Sequence, residues 1–371
     1  MKIPFNDLTR IHEPIRREID EALKRTIDNN AFILGKEVND FERNFASYCG
    51  QPGENYAAGI SNGLNALTLI LHALDIGKGD EVIMPANTFN ATAAAIRNAG
   101  AVPVLVDCED RTALIDCSQL ESRVNANSRA IMPVHLYGQQ ADMGAIKTFA
   151  GRHQLYVVED AAQAHGSLQN GSEPGKLSNA AGFSMYPGKN LGAFGDAGAV
   201  VSRDPSLIER VKRLRNYGQS KKYHHDTVGF NERLDGIQAA ILNVKLPYLN
   251  EWNKSREVSA LGLVERLSDL EELDIPKTAK GNFHTYHLFV IRTQNRDELA
   301  KSLNEKGIDT GVHYPVPIHL QPAFDYLGYK KGQFPVAEDW ARRGLSLPLF
   351  PFMKESELDC IADSVRDFLR K

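Results

Sequence analysis

Residues 182–201 read GFSMYPGKNLGAFGDAGAVV, and a single lysine, Lys189, stands between two short apolar runs, Phe183 to Tyr186 and Ala199 to Val201. The runs read as strands. Gly188, Gly192, Gly195 and Gly198 lie between them and leave the backbone free to take positive φ and to approach a ligand closely. No acidic residue adjoins Lys189, whose neighbours are Pro187, Gly188, Asn190 and Leu191. A solvated lysine usually sits among other charges, so this one is expected to be buried or half-buried. A partly desolvated amine loses its proton more readily and becomes a nucleophile toward carbonyl compounds. On this stretch alone, a hairpin with an incidental lysine in its turn fits equally well.

Upstream, the apolar run Leu155 to Val158 ends in Glu159 and Asp160 and continues as AAQAHG, which puts Asp160 at the carboxyl end of a buried strand. Open α/β sheets bind ligands at such ends. Pyridoxal 5'-phosphate forms Schiff bases with lysine and acts as an electron sink only while an Asp or Arg keeps its ring nitrogen protonated. Lys189 and Asp160 are the candidates for those two parts. A turn-capping aspartate would account for Asp160 but not for Gln163 and His165 after it. Nearer the N-terminus, the strand Tyr56 to Ile60 leads through Ser61, Asn62 and Gly63 into LNALTLILHAL, a buried helix. The first N–H groups of such a helix and its positive dipole end can hold a phosphate, and Asn62 and Gly63 are placed to do so. A plain Ser/Asn cap is the alternative.

VVEDAAQAHGS and GFSMYPGKNLGAFGDAGAVV resemble the aspartate and lysine motifs of the DegT/StrS family of sugar-nucleotide aminotransferases. The likeness continues in PANTFNATAAAI, GFNERLDGIQAAIL and VHYPVPIHLQPAF, over nearly the whole chain. The resemblance implies an α/β fold of the aspartate aminotransferase type (fold type I), with a large, mostly parallel sheet covered by helices on both faces and a smaller C-terminal α/β domain. It implies pyridoxal 5'-phosphate as cofactor and Lys189 and Asp160 as catalytic residues. Asn62, Gly63, Ser184 and, from the partner subunit, the residue at the position of Asn231 would hold the phosphate. Phe89 would stack on the pyridine and Gln163 would hold its hydroxyl. Tyr186, His313 and Tyr314 would face the sugar, with Lys222 reaching into the neighbouring site of a homodimer. The donor implied is L-glutamate and the acceptor a keto sugar nucleotide. YPGKNLG with KKYHH and VHYPVP is similar to the branch that aminates C3 of dTDP-3-keto-6-deoxyhexoses, for dideoxy aminosugars of surface glycans or natural products. A 4-keto sugar nucleotide aminotransferase using dTDP, UDP or GDP, and a catalytically silent sugar-binding relative, remain as alternatives. A dehydratase of the same fold would carry histidine in place of Lys189, and an NAD-dependent oxidoreductase would show G-x-G-x-x-G early in the chain, where none occurs.

The chain of 371 residues has a formal charge of -4 and no long basic run, so composition gives no case for nucleic acid or an anionic membrane. Cys49, Cys108, Cys117 and Cys360 lack metal-ligand spacing, and no metal site is expected. No leader or membrane-length apolar run is read, which points to the cytoplasm. Strands at Val82 to Met84, Val102 to Val106 and Ala130 to Pro133 alternate with helices from Asn90 to near Gly100, Ser118 to Val124 and Met143 to His153, as a parallel sheet requires. Further helices are expected from Glu13 to Ile27, from Glu37 to Tyr48, after Asp204 and Pro205, and from Asn231 to a break at Pro247. A change to polar helix and irregular sequence near Trp252 to Arg256 sets the division into an arm (1–12), a large domain (13–250) and a smaller one (251–371). There, a helix to about Leu270, a strand at Thr285 to Arg292 and helices at Arg296 to Lys306 and after Lys354 are expected. His287 and His319 are read as structural.

Overall fold

The computed structural model describes residues 1–51 and 53–370. Its centre is a seven-stranded sheet in the spatial order Tyr56–Ile60, Gly198–Ser202, Ala180–Ser184, Tyr156–Asp160, Ser128–Ile131, Glu81–Pro85, Val102–Val106. Gly198–Ser202 runs antiparallel to both its neighbours, and the remaining pairings are parallel. Six strands therefore share one direction, and their carboxyl ends come out along one edge.

The strands alternate between two buried faces. Ala58, Val158 and Val200 enter the same cluster as Leu67, Leu69 and Ile70 of the helix Gly63–Ala73, while Ala57, Phe183 and Val201 enter another with Val38, Phe41 and Phe45 of the helix Lys36–Tyr48. Burial on both faces explains why these strands read as nearly continuous apolar runs. A third cluster joins Ala260, Phe289, Leu299, Leu345, Ile361 and Val365 in the C-terminal part, and Ile3 of the N-terminal arm is buried within it.

Several elements differ from expectation. Asn231 does not open a helix, because residues 231–235 run as a bridging segment that pairs Asn231 with Asn216, Arg233 with Ile60 and Asp235 with Ile33; the helix is Gly236–Lys245. The apolar Leu234 faces Gly59 in the sheet, where any Cβ would come within 2.7 Å of Leu234 Cδ2. Pro247 does break the helix, leaving a 3₁₀ turn at Leu246–Tyr248, and the polar helix that follows, Leu249–Leu267, ends close to the expected Leu270 but runs unbroken across the division set near Trp252 to Arg256. The stretch near Ser118 is a 3₁₀ turn, Cys117–Ser122, whose first turn the Asp116 carboxylate caps at Ser118 N–H (2.9 Å). The first long helix is Arg16–Asp28, separated from the short turn Thr9–His12 near Pro14. Of Thr285 to Arg292, only Phe289–Arg292 forms a strand, paired with Gly344–Leu347, while Thr285 N–H donates to Gly138 O. The glycines of the lysine loop do not take positive φ. Their use is close approach: a Cβ at Gly192 would lie 2.2 Å from Pro187 O, and one at Gly198 2.6 Å from Asn62 O.

Candidate active site

The carboxyl ends of Tyr56–Ile60, Glu81–Pro85, Tyr156–Asp160 and Ala180–Ser184 open onto one cavity of about 570 Å³. Asn62, Gly63, Phe89, Asp160, Gln163, Ser184, Tyr186, Lys189, His313 and Tyr314 all line it. Lys222 and Asn231 do not: Lys222 lies at the exposed turn between Gln219–Lys221 and His224–His225, and Asn231 is exposed on its bridging segment.

Strand alternation separates the two acids of the Asp160 motif. Glu159 turns away from the cavity to His135 (2.5 Å) and Gly175 N–H (2.7 Å), and Asp160 turns into it. Asp160 Oδ2 accepts from the Thr92 hydroxyl at 2.7 Å, itself bonded to Thr88, and Oδ1 accepts from Ala162 N–H at 3.2 Å. Burial raises the Asp160 pKa, and these donors with the charge of Lys189 oppose the rise. Asp160 makes no ion pair among the described residues, so a buried carboxylate faces the cavity without a cation against it.

Lys189 rides on a turn in which its N–H donates to Tyr186 O (2.8 Å), so Tyr186 and Lys189 reach the cavity from one loop. Burial lowers the lysine pKa to about 8, and Asp160 counteracts part of that drop. The loop is held from behind by Lys245, which donates to Gly192 O and lies 3.0 Å from His12 Nε2.

At the start of the helix Gly63–Ala73, the Asn62 side chain accepts from Asn65 N–H (2.9 Å). The N–H groups of Gly63 and Leu64 are left without an intrahelical partner, as at any helix start. A Cβ at Gly63 would meet Ser184 Cβ at 2.6 Å, so glycine is what lets this helix end close against the strand that carries Ser184. Gln163 Oε1 accepts from Tyr137 N–H (2.7 Å), which fixes the amide so that Nε2 donates to Tyr314 OH (3.0 Å) and keeps one hydrogen for a ligand. Phe89 and Tyr186 are 55% and 59% exposed, large aromatic surfaces left open beside the lysine.

Two polar cavity residues escape a reading of the sequence by motif, Asn6 and His287. Thr88 and Asp196 also line the cavity, and both lie inside stretches quoted above, PANTFNATAAAI and 182–201, although their residue types alone assign them no role. His287 carries no local signal, yet its chemistry follows from its partners. Asn190 Nδ2 donates to Asn253 Oδ1 (2.8 Å) and to Thr285 O (3.0 Å); a carbonyl can only accept, so the amide orientation is set. Asn190 Oδ1 then accepts from His287 Nδ1 (3.1 Å), which makes Nδ1 the protonated nitrogen and Nε2 an acceptor. Burial, with the nearby charge of Lys189, holds this imidazole neutral, well below its usual pKa. His319, by contrast, bonds Glu338 (2.9 Å) away from the cavity.

A sequence model described as the DegT/DnrJ/EryC1/StrS aminotransferase family matches residues 13–366. The chain is 44% identical over its whole length to dTDP-3-amino-3,4,6-trideoxy-alpha-D-glucose transaminase of Streptomyces venezuelae, covering 97% of that protein. It is also 44% identical to dTDP-3-amino-3,6-dideoxy-alpha-D-galactopyranose transaminase of Aneurinibacillus thermoaerophilus, with 99% of each chain covered. The crystal structure of S. venezuelae DesV in complex with a ketimine intermediate superposes with a TM-score of 0.97 at 44% identity, over 100% of this chain and 99% of that one.

Proposed function

Because the chain belongs to the DegT/DnrJ/EryC1/StrS aminotransferase family, we propose that it moves the amino group of L-glutamate to C3 of a dTDP-3-keto-6-deoxyhexose, with pyridoxal 5'-phosphate as cofactor. The observation that carries the reading is the meeting of a half-buried, depressed-pKa lysine, a buried carboxylate with no ion-pair partner among the described residues and an open helix N-terminus in one cavity. Those features fit the cofactor's aldehyde, pyridinium and phosphate in turn. Both transaminases above are named for amino groups at position 3, which supports C3 over C4.

When bound, the cofactor supplies the carbonyl for amine exchange and the electron sink. Asp160, oriented by Thr92 and Ala162, would provide the negative charge that keeps the ring nitrogen protonated. Ser184 and the N–H groups of Gly63 and Leu64 would hold the phosphate, and the spare Nε2 hydrogen of Gln163 the ring hydroxyl. Lys189 Nζ, depressed to about 8, has a usable unprotonated fraction near neutral pH and, when free, would take the proton from the α-carbon of L-glutamate. Net transfer turns L-glutamate into 2-oxoglutarate and the keto sugar into an amino sugar, with no external oxidant or reductant.

We extend the reading to a homodimer in which Lys222 and Asn231 complete the partner's cavity. Their exposure outside their own chain's cavity supports this, as do Tyr223 and Val228, which are 81% and 90% exposed beside them. The separate C-terminal cluster supports the division into 13–250 and 251–371, and the four free cysteines are in keeping with a reducing cytoplasm. A sugar amine made this way serves a dideoxy aminosugar of a surface glycan or natural product. The test is to offer L-glutamate with 3-keto and 4-keto sugars on dTDP, UDP and GDP and to follow 2-oxoglutarate. Turnover led by a dTDP-3-keto-6-deoxyhexose is expected; a 4-keto sugar, or a UDP or GDP carrier, turned over faster would overturn the substrate while leaving the transaminase.

A further inference from the structure

The N-terminal arm is not a loose leader to the first helix. Ile3 N–H donates to Gly307 O (2.8 Å), Asp309 N–H donates to Ile3 O (2.9 Å), and the Ile3 side chain is fully buried in the C-terminal cluster. Seven residues on, Arg10 donates to Phe352 O (2.7 Å) and pairs with Glu357. Pinned on both sides, the arm carries Phe5 and Asn6 into the wall of the cavity. Phe5 stacks on His313, ring centroids 5.6 Å apart and planes 18° from parallel. Asn6 lies against the lysine loop, its Nδ2 3.9 Å from the place a Cβ on Gly188 would take.

The Asn6 carboxamide makes no hydrogen bond to the protein among the described residues, and its Oδ1 is buried without a partner. Leaving a buried amide oxygen unpaired is costly, and leucine would fill the same volume without that cost. An unpaired amide on a pinned arm in the wall of a ligand cavity is a group held ready for a ligand. The ligand's chemistry follows from what the amide offers. A carboxylate of L-glutamate could accept from Nδ2 but has no proton to give Oδ1. A hydroxyl does both, and rotation about the side chain's last bond lets the amide present either end.

Resting on the sugar-nucleotide reading above, we propose that Asn6 determines specificity by hydrogen-bonding a hydroxyl of the sugar that flanks the reacting carbonyl. A 3-keto-6-deoxyhexose has such hydroxyls at C2 and C4. A site built to pair with a hydroxyl discriminates against the analogue that lacks it, because its own polar group is then left unpaired.

The experiment compares the wild-type enzyme, loaded with pyridoxal 5'-phosphate, with its Asn6→Leu variant. Each is given L-glutamate and a dTDP-3-keto-6-deoxyhexose, its 2-deoxy analogue or its 4-deoxy analogue, and kcat/KM is measured for each sugar. Wild type is expected to favour the full sugar over one of the two analogues by about tenfold, chiefly through KM, and Asn6→Leu to flatten that preference while melting no lower than wild type. Asn6→Asp, which keeps an acceptor for the hydroxyl, should restore part of it. Undiminished discrimination in Asn6→Leu against both analogues would overturn this proposal alone. If wild type amino-transfers to none of the keto sugars, the proposal falls together with the substrate reading.

Discussion

Replacing Lys189 by methionine should stabilise the cofactor-free chain while abolishing transamination. Burial lowers the lysine pKa from 10.5 to about 8. That displacement is worth about 3 kcal/mol at full strength, and because the side chain is only half-buried, solvent screening reduces it to about 1–2 kcal/mol. The folded-state pKa lies below the unfolded one, so between about 8 and 10.5 the unfolded chain binds more protons than the folded one. Stability of the wild type therefore rises with pH across that window. Below it, the fold carries the full cost of a poorly solvated ammonium; above it, there is none. Lys189→Met removes the cost, so urea unfolding of cofactor-free protein at pH 7 should show a gain of about 1–2 kcal/mol that has mostly vanished by pH 10. A variant no more stable than wild type at pH 7, or a difference independent of pH, would refute the assignment of Lys189 as a strained amine.

Asp160→Asn should keep the fold but lose rate by on the order of a hundredfold or more, since a neutral amide cannot hold a ring nitrogen protonated; steady-state turnover with saturating cofactor reads this. Asn190→Ala strands the Thr285 carbonyl, Asn253 Oδ1 and the His287 N–H together, and should cost about 2–4 kcal/mol of stability by urea titration. Mixing inactive Lys189→Ala and Lys222→Ala chains should restore about one competent site per heterodimer if Lys222 serves the partner's cavity. Two folded, exchanging chains that regain nothing would mean that each chain builds its own site.

Most of the main sheet is legible because a strand buried on both faces announces itself as a short apolar run, and the acid, lysine and helix-start motifs lie at the ends of such runs. Tyr56–Ile60 and Val102–Val106 were readable to the residue for that reason. What escapes reading is set by contacts distant in the chain. Leu234 has the spacing of a helical core residue, yet its segment is held extended by Asn216, Ile60 and Ile33. The helix Pro335–Arg343 carries local signals, Pro335 at its start and Gly344 just past its end, but the strand Gly344–Leu347 exists only through its pairing with Phe289–Arg292. Asn6 and His287 are the clearest cases at the site. Neither belongs to a motif; an arm pinned at residues 307–309 and a network through Asn190 and Asn253 bring them to Lys189, and no local periodicity encodes either.

The central claim is that Lys189 is the amine that bonds the cofactor, and chemical mapping tests it most directly. The purified protein is saturated with pyridoxal 5'-phosphate, reduced with borohydride, digested and analysed by mass spectrometry. The account predicts a phosphopyridoxyl group on the peptide that contains Lys189 and loss of that label in Lys189→Ala. Label carried instead by Lys245, a buried amine whose pKa burial lowers to about 7, or no specific label at all, would contradict it.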